Sequence, residues 1–349
     1  MKKIIDVLII NNCPSFYKIN LYNELAKQVK LHVVFIGLTN QVVINNCFED
    51  DIHFSFELIS NVQIEKRNKI KSLIRLYFIC KHYDYKKIIY GGYADFEEKV
   101  LMWITKKSKN CLQFESSIRE SRVTGIVAYL KKIIFARFII ALPAGKLQSA
   151  VFYSLGYKGV IIESKGVGLF NNSNLKKSKT NVISDELKYL FVGRLIPVKN
   201  IELLIRVFNN LNKHLTIVGT GVLENKLRAQ ANSNIEFTGF ILNNELDKLY
   251  CSHDVFILPS ISETWGLVVE EAIYFGLPVI VSDAVGCQED MVLEPDTGVV
   301  FRNSDENDLV NAILKLETNI ETYKQNCIAF DFQQRDKMQI SAYLNILNI

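Results

Sequence analysis

Two basic side chains, Arg194 and Lys199, lie in a loop after a predicted strand at 189–192. The loop is Gly193-Arg194-Leu195-Ile196-Pro197-Val198-Lys199, and a helix is predicted to follow it. In an open α/β sheet, ligands bind at the carboxyl ends of strands, and the start of a helix there favours anions. An arginine donates a fork of hydrogen bonds and a lysine supplies a mobile charge, so the pair could clamp a diphosphate. A solvated basic loop is the alternative interpretation.

Two glycines, Gly219 and Gly221, follow the next predicted strand at 215–218. Glycines at such a place permit a tight turn and a close approach of the backbone to a ligand. Position 224 is a glutamate, so the three-glycine fingerprint of dinucleotide-binding proteins is absent. A plain turn is therefore an equally good interpretation.

Two glutamates, Glu263 and Glu271, follow a further predicted strand at 255–258. Glu263 falls in the loop, and Glu271 falls about one turn inside a predicted helix at 267–275. Carboxylate oxygens suit the recognition of sugar and ribose hydroxyls because each accepts charge-assisted hydrogen bonds. For Glu271, an ordinary exposed helix residue is the alternative. Backbone amides at the start of this helix could hold a phosphate, namely those of Trp265, Gly266 and Leu267.

The elements that position these residues alternate between short apolar runs and helix-length segments, which predicts doubly wound parallel sheets. In the second half, Asn200 is expected to cap a helix whose apolar residues recur at helical spacing. The first half shows the same alternation less regularly. The predicted strands lie at 7–10, 31–36, 87–90 and 111–114 in the first half and at 189–192, 215–218, 235–237, 255–258 and 279–281 in the second.

The order and spacing of the motifs in the second half resemble family 4 of the retaining glycosyltransferases, also called glycosyl transferases group 1, which have a GT-B fold. The resemblance covers roughly residues 185–318. It implies that Arg194 and Lys199 hold the diphosphate of a nucleotide-sugar donor, that Glu263 contacts the donor sugar, and that Glu271 contacts the ribose. The matching segments are G-R-L-x-x-x-K at 193–199, G-x-G at 219–221, P-S-x-x-E-x-x-G at 259–266 and E-A-x-x-x-G-x-P-V-I at 271–280.

The first half departs from this family at two loops. Many members have a Gly-Gly loop after the first strand, whereas this chain has Asn11-Asn12-Cys13-Pro14-Ser15. Pro14 and Ser15 are the candidate substrate contacts of that loop. Members often have a histidine after the fourth strand, near the reacting sugar, and the corresponding position here is Glu115. Glu115 is therefore the candidate for orienting the acceptor.

A chain of 349 residues fits two α/β domains of about 150 residues each. The predicted architecture is α/β of the GT-B type, with two Rossmann-like domains that face each other across a cleft. Residues 1–165 would form the acceptor-side domain and residues 166–329 the donor-binding domain. A helix at about 330–349 would pack back on the first domain. Lys, Ser, Asn and Gly concentrate at 164–180, which predicts a linker near 164–185.

The residue composition indicates a cellular compartment and limits which metals and cofactors the protein could bind. The seven cysteines form no CxxC motif or Cys/His cluster, which favours reduced thiols in a cytoplasmic protein. Asp6 interrupts the first apolar run, so a buried strand is expected there and not a signal peptide. No acidic metal-binding motif ends a strand, and 49–51 is interpreted as a solvated acidic loop. We therefore expect no metal, no cofactor beyond the nucleotide-sugar co-substrate, and no nucleic acid partner.

Charge is distributed unevenly along the chain, with a balance of +11 in residues 1–165 and −7 in the remainder. This asymmetry suggests an anionic partner for the first half, and an evenly solvated basic surface is the alternative. Two segments at 66–79 and 126–134 mix cations with large aliphatic residues, and could lie on an anionic membrane on its cytoplasmic side. For the second segment, the pattern slightly favours burial of its aliphatic face in the core.

The predicted activity is transfer of a hexose-type sugar from a UDP- or GDP-sugar to a growing glycan or lipid-linked glycan, with retention and without a metal, in cell-surface polysaccharide assembly. A nucleotide-sugar epimerase with the same fold is one alternative. It would lack the pair of glutamates at 263 and 271 and would need acid–base groups in the cleft. A non-catalytic partner subunit is another, which the missing histidine favours and the intact second-half motifs oppose.

Overall fold

The structure is a computed structural model that describes residues 2–39, 51–169, 186–242 and 245–349. The chain divides into two compact units. Unit 1 comprises Met1–Asn171 and Gln333–Ile349, and unit 2 comprises Asn172–Phe332. Each unit contains one parallel sheet, so the predicted pair of doubly wound domains is confirmed.

Unit 1 contains a seven-stranded sheet in the order β3-β2-β1-β4-β5-β6-β7. Its strands are β1 (Lys3–Asn11), β2 (Leu31–Phe35), β3 (Ser55–Leu58), β4 (Tyr83–Tyr90), β5 (Asn110–Phe114), β6 (Ile140–Pro143) and β7 (Val160–Ile161). Its helices are α1 (Phe16–Ala26), α2 (Lys69–His82), α3 (Phe96–Ile104), α4 (Gly125–Phe135) and α5 (Lys146–Ser154). Every strand pairs in parallel with its neighbours, as the helical crossovers require.

Helices cover both faces of the unit 1 sheet. On one face, α2, α3, α4 and α5 contribute Leu76, Leu101, Phe135 and Phe152 to a single apolar cluster. On the other face, α1 contributes Tyr22 and its neighbours to a second cluster. Because both faces are covered, consecutive residues of a central strand are buried together, as Leu8, Ile9 and Ile10 are in β1, instead of alternating with exposed polar residues.

Helix α4 corrects an expectation about the segment at 126–134. The pattern favoured burial of its aliphatic face, but Ile126 is 80% exposed and Leu130 is 52% exposed. Only Ala128 and Phe135 of this helix are buried. Apolar residues surround the helix axis on nearly all sides, so one narrow stripe is enough to pack on the sheet and the others remain in contact with solvent.

Unit 2 contains a six-stranded sheet in the order β10-β9-β8-β11-β12-β13. Its strands are β8 (Lys188–Val192), β9 (His214–Val218), β10 (Ile235–Gly239), β11 (Val255–Leu258), β12 (Val279–Ser282) and β13 (Gly298–Phe301). Its helices are α6 (Ile201–Leu211), α7 (Glu224–Gln230), α8 (Leu246–Ser252), α9 (Leu267–Tyr274), α10 (Glu306–Thr318) and α11 (Ile320–Ala329). All five strands predicted for this half are present.

Asn200 precedes α6 but does not cap it with its side chain. The residue adopts the left-handed conformation, with φ 51° and ψ 38°, and its side chain makes no capping hydrogen bond. Its backbone N–H donates to the carbonyl of Pro197 at 3.1 Å, which closes a short 3₁₀ turn at Pro197–Lys199. Asparagine tolerates this conformation better than most residues. Asn200 is therefore not the expected side-chain cap, and instead connects the 3₁₀ turn to α6 in the left-handed conformation.

The final helix, α12 (Phe332–Asn345), leads the chain back into unit 1, where Tyr343 and Ile346 are buried in the same cluster as Tyr22.

The predicted linker also needs correction at its start. Ser164 and Leu169 are buried, and Leu169 belongs to the unit 1 core, so 164–169 are part of the folded unit. Residues 170–185, and 49–50 of the predicted acidic loop, lie outside the described residues.

Both sheets reverse their strand order at one place, between β1 and β4 in unit 1 and between β8 and β11 in unit 2. Helices that follow the two strands at such a place lie on opposite faces of the sheet, and this leaves a crevice at the carboxyl ends. The loops singled out from the sequence follow these strands and their neighbours. The fold therefore supplies one candidate ligand crevice in each unit.

Candidate functional site

The loops after β8 and β9 pack backbone against backbone. The N–H of Leu195 donates to the carbonyl of Thr220 at 2.9 Å. A Cβ atom at Gly219, whose φ is +131°, would collide with the carbonyl oxygen of Gly193, and one at Gly221 would collide with that of Leu195. The two glycines of the second loop are thus required by contact between the loops. This contact fixes the position of the Gly193 loop at the strand ends.

The loop after β11 is joined to the Gly193 loop by both backbone and side chains. The N–H of Ile261 donates to the carbonyl of Val198 at 2.9 Å. Glu263 accepts a backbone hydrogen bond from Gly286 at 2.9 Å, which ties this loop to the segment after β12. The ammonium group of Lys199 forms an ion pair with the carboxylate of Glu263. The structure therefore brings together two residues that the resemblance assigns to different parts of one donor.

The positive charge of this site is unevenly compensated. Lys199 and Glu263 are both largely buried, with exposed side-chain fractions of 13% and 18%. Arg194 is exposed, and its guanidinium forms no hydrogen bond or ion pair with the described residues. Because Glu263 offsets the charge of Lys199, Arg194 is the residue of this pair whose charge is fully available to an anion.

At the start of α9, the groups available to a ligand are backbone N–H groups more than side chains. Trp265 is buried, and its indole N–H donates to the carboxylate of Glu270. Gly266 has a φ of +102°, and a Cβ atom there would be 3.1 Å from a methyl group of Val285. Leu267 begins the helix, and the first N–H groups of a helix generally lack a carbonyl partner four residues earlier. The indole of Trp265 thus packs inward, and the amides of this turn are the groups suited to a phosphate.

Glu271 is a buried carboxyl group, so its interpretation as an exposed helix residue is wrong. One carboxylate oxygen accepts a hydrogen bond of 2.7 Å from the hydroxyl of Tyr250. Burial raises the pKa of Glu271 from its ordinary value of 4.5 to about 7, and the Tyr250 hydrogen bond opposes this rise. Tyr250 is itself buried and stacks on Phe275. Glu271 is therefore held in one place and changes its charge near neutral pH.

In unit 1, Glu115 follows β5 and pairs with a buried lysine. The ammonium of Lys18 lies 2.9 Å from the Glu115 carboxylate, and the amide of Gln113 donates to that carboxylate at 3.1 Å. Burial lowers the pKa of Lys18, but the surrounding groups, chiefly the negative charge of Glu115, together outweigh this effect and hold the pKa above its ordinary value. Lys18 was not predicted as a site residue. It fixes Glu115 at the carboxyl end of the sheet.

The loop after β1 is braced by asparagine side chains. The amide of Asn11 donates to the hydroxyl of Tyr22 at 2.9 Å, and its oxygen accepts from the N–H of Asn12 at 2.8 Å. Pro14 is buried. Ser15 precedes α1, and its carbonyl accepts from the first turn of that helix. Pro14 and Ser15 thus lie beside β1 at the strand-order reversal of unit 1.

Metal-binding side chains do not cluster in the described parts of the chain, where no group of three His, Cys, Asp or Glu residues is placed to hold an ion. The six described cysteines are free thiols. The groups that unit 2 offers to a ligand are an exposed guanidinium, backbone amides and two carboxylates. This set suits an anionic ligand that also carries hydroxyl groups.

Residues 172–328, which make up nearly all of unit 2, match one protein-family model. The family is glycosyl transferases group 1. Two curated relatives of this kind are sulfoquinovosyl transferase SQD2 of Arabidopsis thaliana and a GDP-mannose-dependent alpha-mannosyltransferase of Mycobacterium tuberculosis. The first is 30% identical over 224 residues, which are 63% of this chain and 42% of that protein. The second is 37% identical over 111 residues, which are 32% of this chain and 29% of that protein. The chain thus spans less than half the length of these two relatives.

Solved structures match nearly the whole chain. HepE of Anabaena, in complex with UDP, superposes with a TM-score of 0.73 and 16% sequence identity, over 97% of this chain and 99% of that one. A sucrose-phosphate synthase of Thermosynechococcus elongatus superposes with a TM-score of 0.68 and 17% identity, over 98% and 96%. With a parallel sheet in each unit, these likenesses confirm the predicted GT-B fold.

Proposed function

We propose that this protein is a retaining glycosyltransferase that moves a hexose-type sugar from a UDP- or GDP-linked donor to a growing glycan or glycolipid. The observation that carries the proposal is the contact between Lys199 and Glu263 beside the exposed Arg194, within the segment that matches glycosyl transferases group 1. The proposed pathway is assembly of a cell-surface polysaccharide. We further propose a cytoplasmic location, with no metal and no cofactor besides the donor.

Arg194 and the amides at the start of α9 would act on the leaving group. When the bond from the anomeric carbon to the diphosphate breaks, the electron pair remains on the diphosphate oxygen and negative charge grows there. Preorganised cations and N–H groups stabilise such charge strongly in a site that excludes water. This arrangement supports transfer without a metal, because the protein itself supplies the positive charge.

Lys199 and Glu263 would exchange one partner for another when the donor binds. In the described structure they neutralise each other. A diphosphate beside Lys199 would compete with Glu263 for the ammonium group, and this frees carboxylate oxygens to accept hydrogen bonds from sugar hydroxyls. The ion pair thus holds both side chains in place before the donor arrives, which lowers the entropy cost of binding.

Glu271 would accept hydrogen bonds from the ribose hydroxyls, with Tyr250 holding its carboxylate in position. Glu115, held by Lys18, would orient the acceptor hydroxyl in unit 1. Recognition of the nucleotide base and of the rest of the acceptor would then depend on other loops. Support for the two candidate bases comes from the relatives, one of which is named as GDP-mannose-dependent and one of which was solved with UDP.

A thermal-shift screen against nucleotide sugars tests this proposal directly, because a ligand that binds only the native state raises the unfolding temperature. We expect stabilisation by UDP- or GDP-sugars and by the matching nucleoside diphosphate. Arg194→Ala should abolish most of the shift. No stabilisation by any member of the panel contradicts the donor site. Stabilisation without transfer to any glycan acceptor favours the non-catalytic partner subunit instead.

A further inference from the structure

One face of the unit 1 sheet carries four helices, α2 to α5, which share one apolar cluster beneath them. Their outer surface, here called the docking face, exposes large apolar side chains on at least three of the helices. Representative members are Ile70, Ile74 and Phe78 on α2, Trp103 on α3, and Ile126 and Leu130 on α4. Single exposed apolar residues are ordinary, but several large ones on the helices of one sheet face mark a candidate interaction surface.

The docking face also carries a charge of one sign. All residues of the four helices are described, and none of them exposes a carboxylate. Helices α2, α4 and α5 contain no Asp or Glu, and the two glutamates of α3, Glu97 and Glu98, are buried. The exposed cations include Lys71, Arg75 and Lys81 on α2, Lys99 on α3, Lys132 on α4 and Lys146 on α5.

One of the two buried glutamates of α3 is held inward by a specific contact. Glu97 forms an ion pair with Arg67 at 2.7 Å, and both side chains are buried. The opposite face of the sheet differs. There, α1 exposes one large apolar residue, Phe16, and its sequence includes the acidic Glu24. The combination of apolar and exclusively basic side chains is therefore a property of the α2–α5 layer and not of unit 1 as a whole.

We propose that the docking face lies on an anionic lipid bilayer, with the apolar side chains of α4 and α2 inserted among the headgroups. Charge complementarity favours this occupant, because an anionic surface attracts every exposed charge on the face and repels none. Long lysine and arginine side chains can extend to the headgroups while their aliphatic stems remain in the apolar layer. No helix in the described parts of the chain has the length and apolar character to cross a membrane, so contact would be limited to the surface.

The position of α4 connects this surface to the candidate acceptor site. Glu115 stands at the carboxyl end of β5, and α4 begins ten residues later, on the way from that end of the sheet to the start of β6. A bilayer along α4 would thus run beside the sheet edge where Glu115 lies. An acceptor whose glycan is attached to a membrane lipid would be presented to that edge. This last step rests on the proposed function, whereas the docking face itself does not.

Vesicle co-sedimentation tests the docking face with the full chain. The probes are vesicles of phosphatidylcholine alone and of equimolar phosphatidylcholine and phosphatidylglycerol, each at low and high salt. We expect binding to the anionic vesicles only, and weaker binding at high salt. Leu130→Ser should weaken that binding by roughly tenfold, since a large aliphatic side chain loses its burial. Lys132→Glu should weaken it by several-fold.

The matched control is Leu314→Ser, because Leu314 on α10 of unit 2 is 51% exposed and Leu130 is 52% exposed. This variant should bind vesicles as the unchanged protein does. Equal weakening by both leucine variants, equal binding to neutral and anionic vesicles, or no binding at all would overturn the proposal. So would a stable dimer in sedimentation velocity that Leu130→Ser dissociates, since a second copy would then cover the face. Nucleotide stabilisation of each variant is measured in parallel, so that a failure of the donor site is distinguished from a failure of docking.

Discussion

Replacing Glu271 by glutamine should stabilise unit 2 at alkaline pH while it weakens nucleotide binding. The native carboxyl has a pKa of about 7, against an ordinary value of 4.5. Above pH 7 the folded protein must therefore carry a negative charge on a buried carboxylate. In the unfolded chain the same carboxyl group ionises freely in water. The contribution of this group to stability is complete below pH 4.5 and is lost as the pH rises through 7. Glutamine accepts the Tyr250 hydrogen bond without carrying the charge.

The size of the effect follows from the two pKa values. Their difference corresponds to roughly 3 to 4 kcal/mol at about 1.4 kcal/mol per pKa unit, which is the upper limit of the stability lost at high pH. The free energy of unfolding of Glu271→Gln relative to the unchanged protein should thus rise between pH 5 and pH 8 by up to this amount. Nucleotide affinity should change in the opposite sense, with a deficit in the variant that grows as the pH passes 7.

Urea unfolding followed by tryptophan fluorescence measures this difference in unit 2 alone. The chain has two tryptophans, so in a Trp103→Phe background the signal comes from Trp265, beside α9. Glu317→Gln is the matched control, because Glu317 accepts a hydrogen bond of the same 2.7 Å length from Tyr189. Its carboxylate is 21% exposed and is paired with a lysine, so this variant removes a carboxylate with the same type of hydrogen bond from a less buried site. A stability difference for Glu271→Gln that is constant from pH 5 to pH 8 would refute the reasoning.

Four further outcomes are expected. Arg194→Ala and Lys199→Ala should each lower kcat/KM by an amount that corresponds to about 2 to 4 kcal/mol of transition-state stabilisation, with an unchanged fold. Wild-type turnover in both variants would contradict the assignment of these residues as a diphosphate clamp. Glu263→Ala should abolish transfer with a modest loss of nucleoside diphosphate affinity in calorimetry; a loss as large as that of Glu271→Ala would show that the two carboxylates do not divide sugar and ribose between them. Activity should persist in excess EDTA, and loss that manganese or magnesium restores would contradict a metal-independent mechanism. Lys18→Met should leave Glu115 without its buried partner and so raise KM for the acceptor more than for the donor, whereas equal changes would contradict a role for Glu115 at the acceptor.

The sequence predicted most of what depends on local pattern. The strands of unit 2, such as β11, are short β-branched runs with a helix on either side, and their positions follow from this periodicity. The apolar run at 133–142 was harder to divide. In the structure, α4 ends in it, Phe138 packs in the core and β6 begins at Ile140. A continuous apolar run has no period of its own, so nothing marks where the helix stops and the strand starts.

Contacts between distant residues could not be predicted in the same way. Tyr250 holds Glu271 from another helix, and Lys18, in the helix after β1, holds Glu115 after β5, 97 positions further along the chain. Each of these pairings depends on which strands become neighbours and on which side of a helix faces them. The same reason explains why the burial of Glu271 was open at the level of sequence, since its position on α9 is compatible with either side of the helix.

The return of α12 to unit 1 sets an order for folding during synthesis. Unit 2 occupies one uninterrupted stretch of chain, so it can form its sheet as soon as Phe332 has left the ribosome. The core of unit 1 includes Tyr343 and Ile346. The unit that begins first along the chain is thus completed after the unit that follows it. A fragment that ends at Asn171 would lack Tyr343 and Ile346, and part of the α1 side of its sheet would then be exposed to solvent.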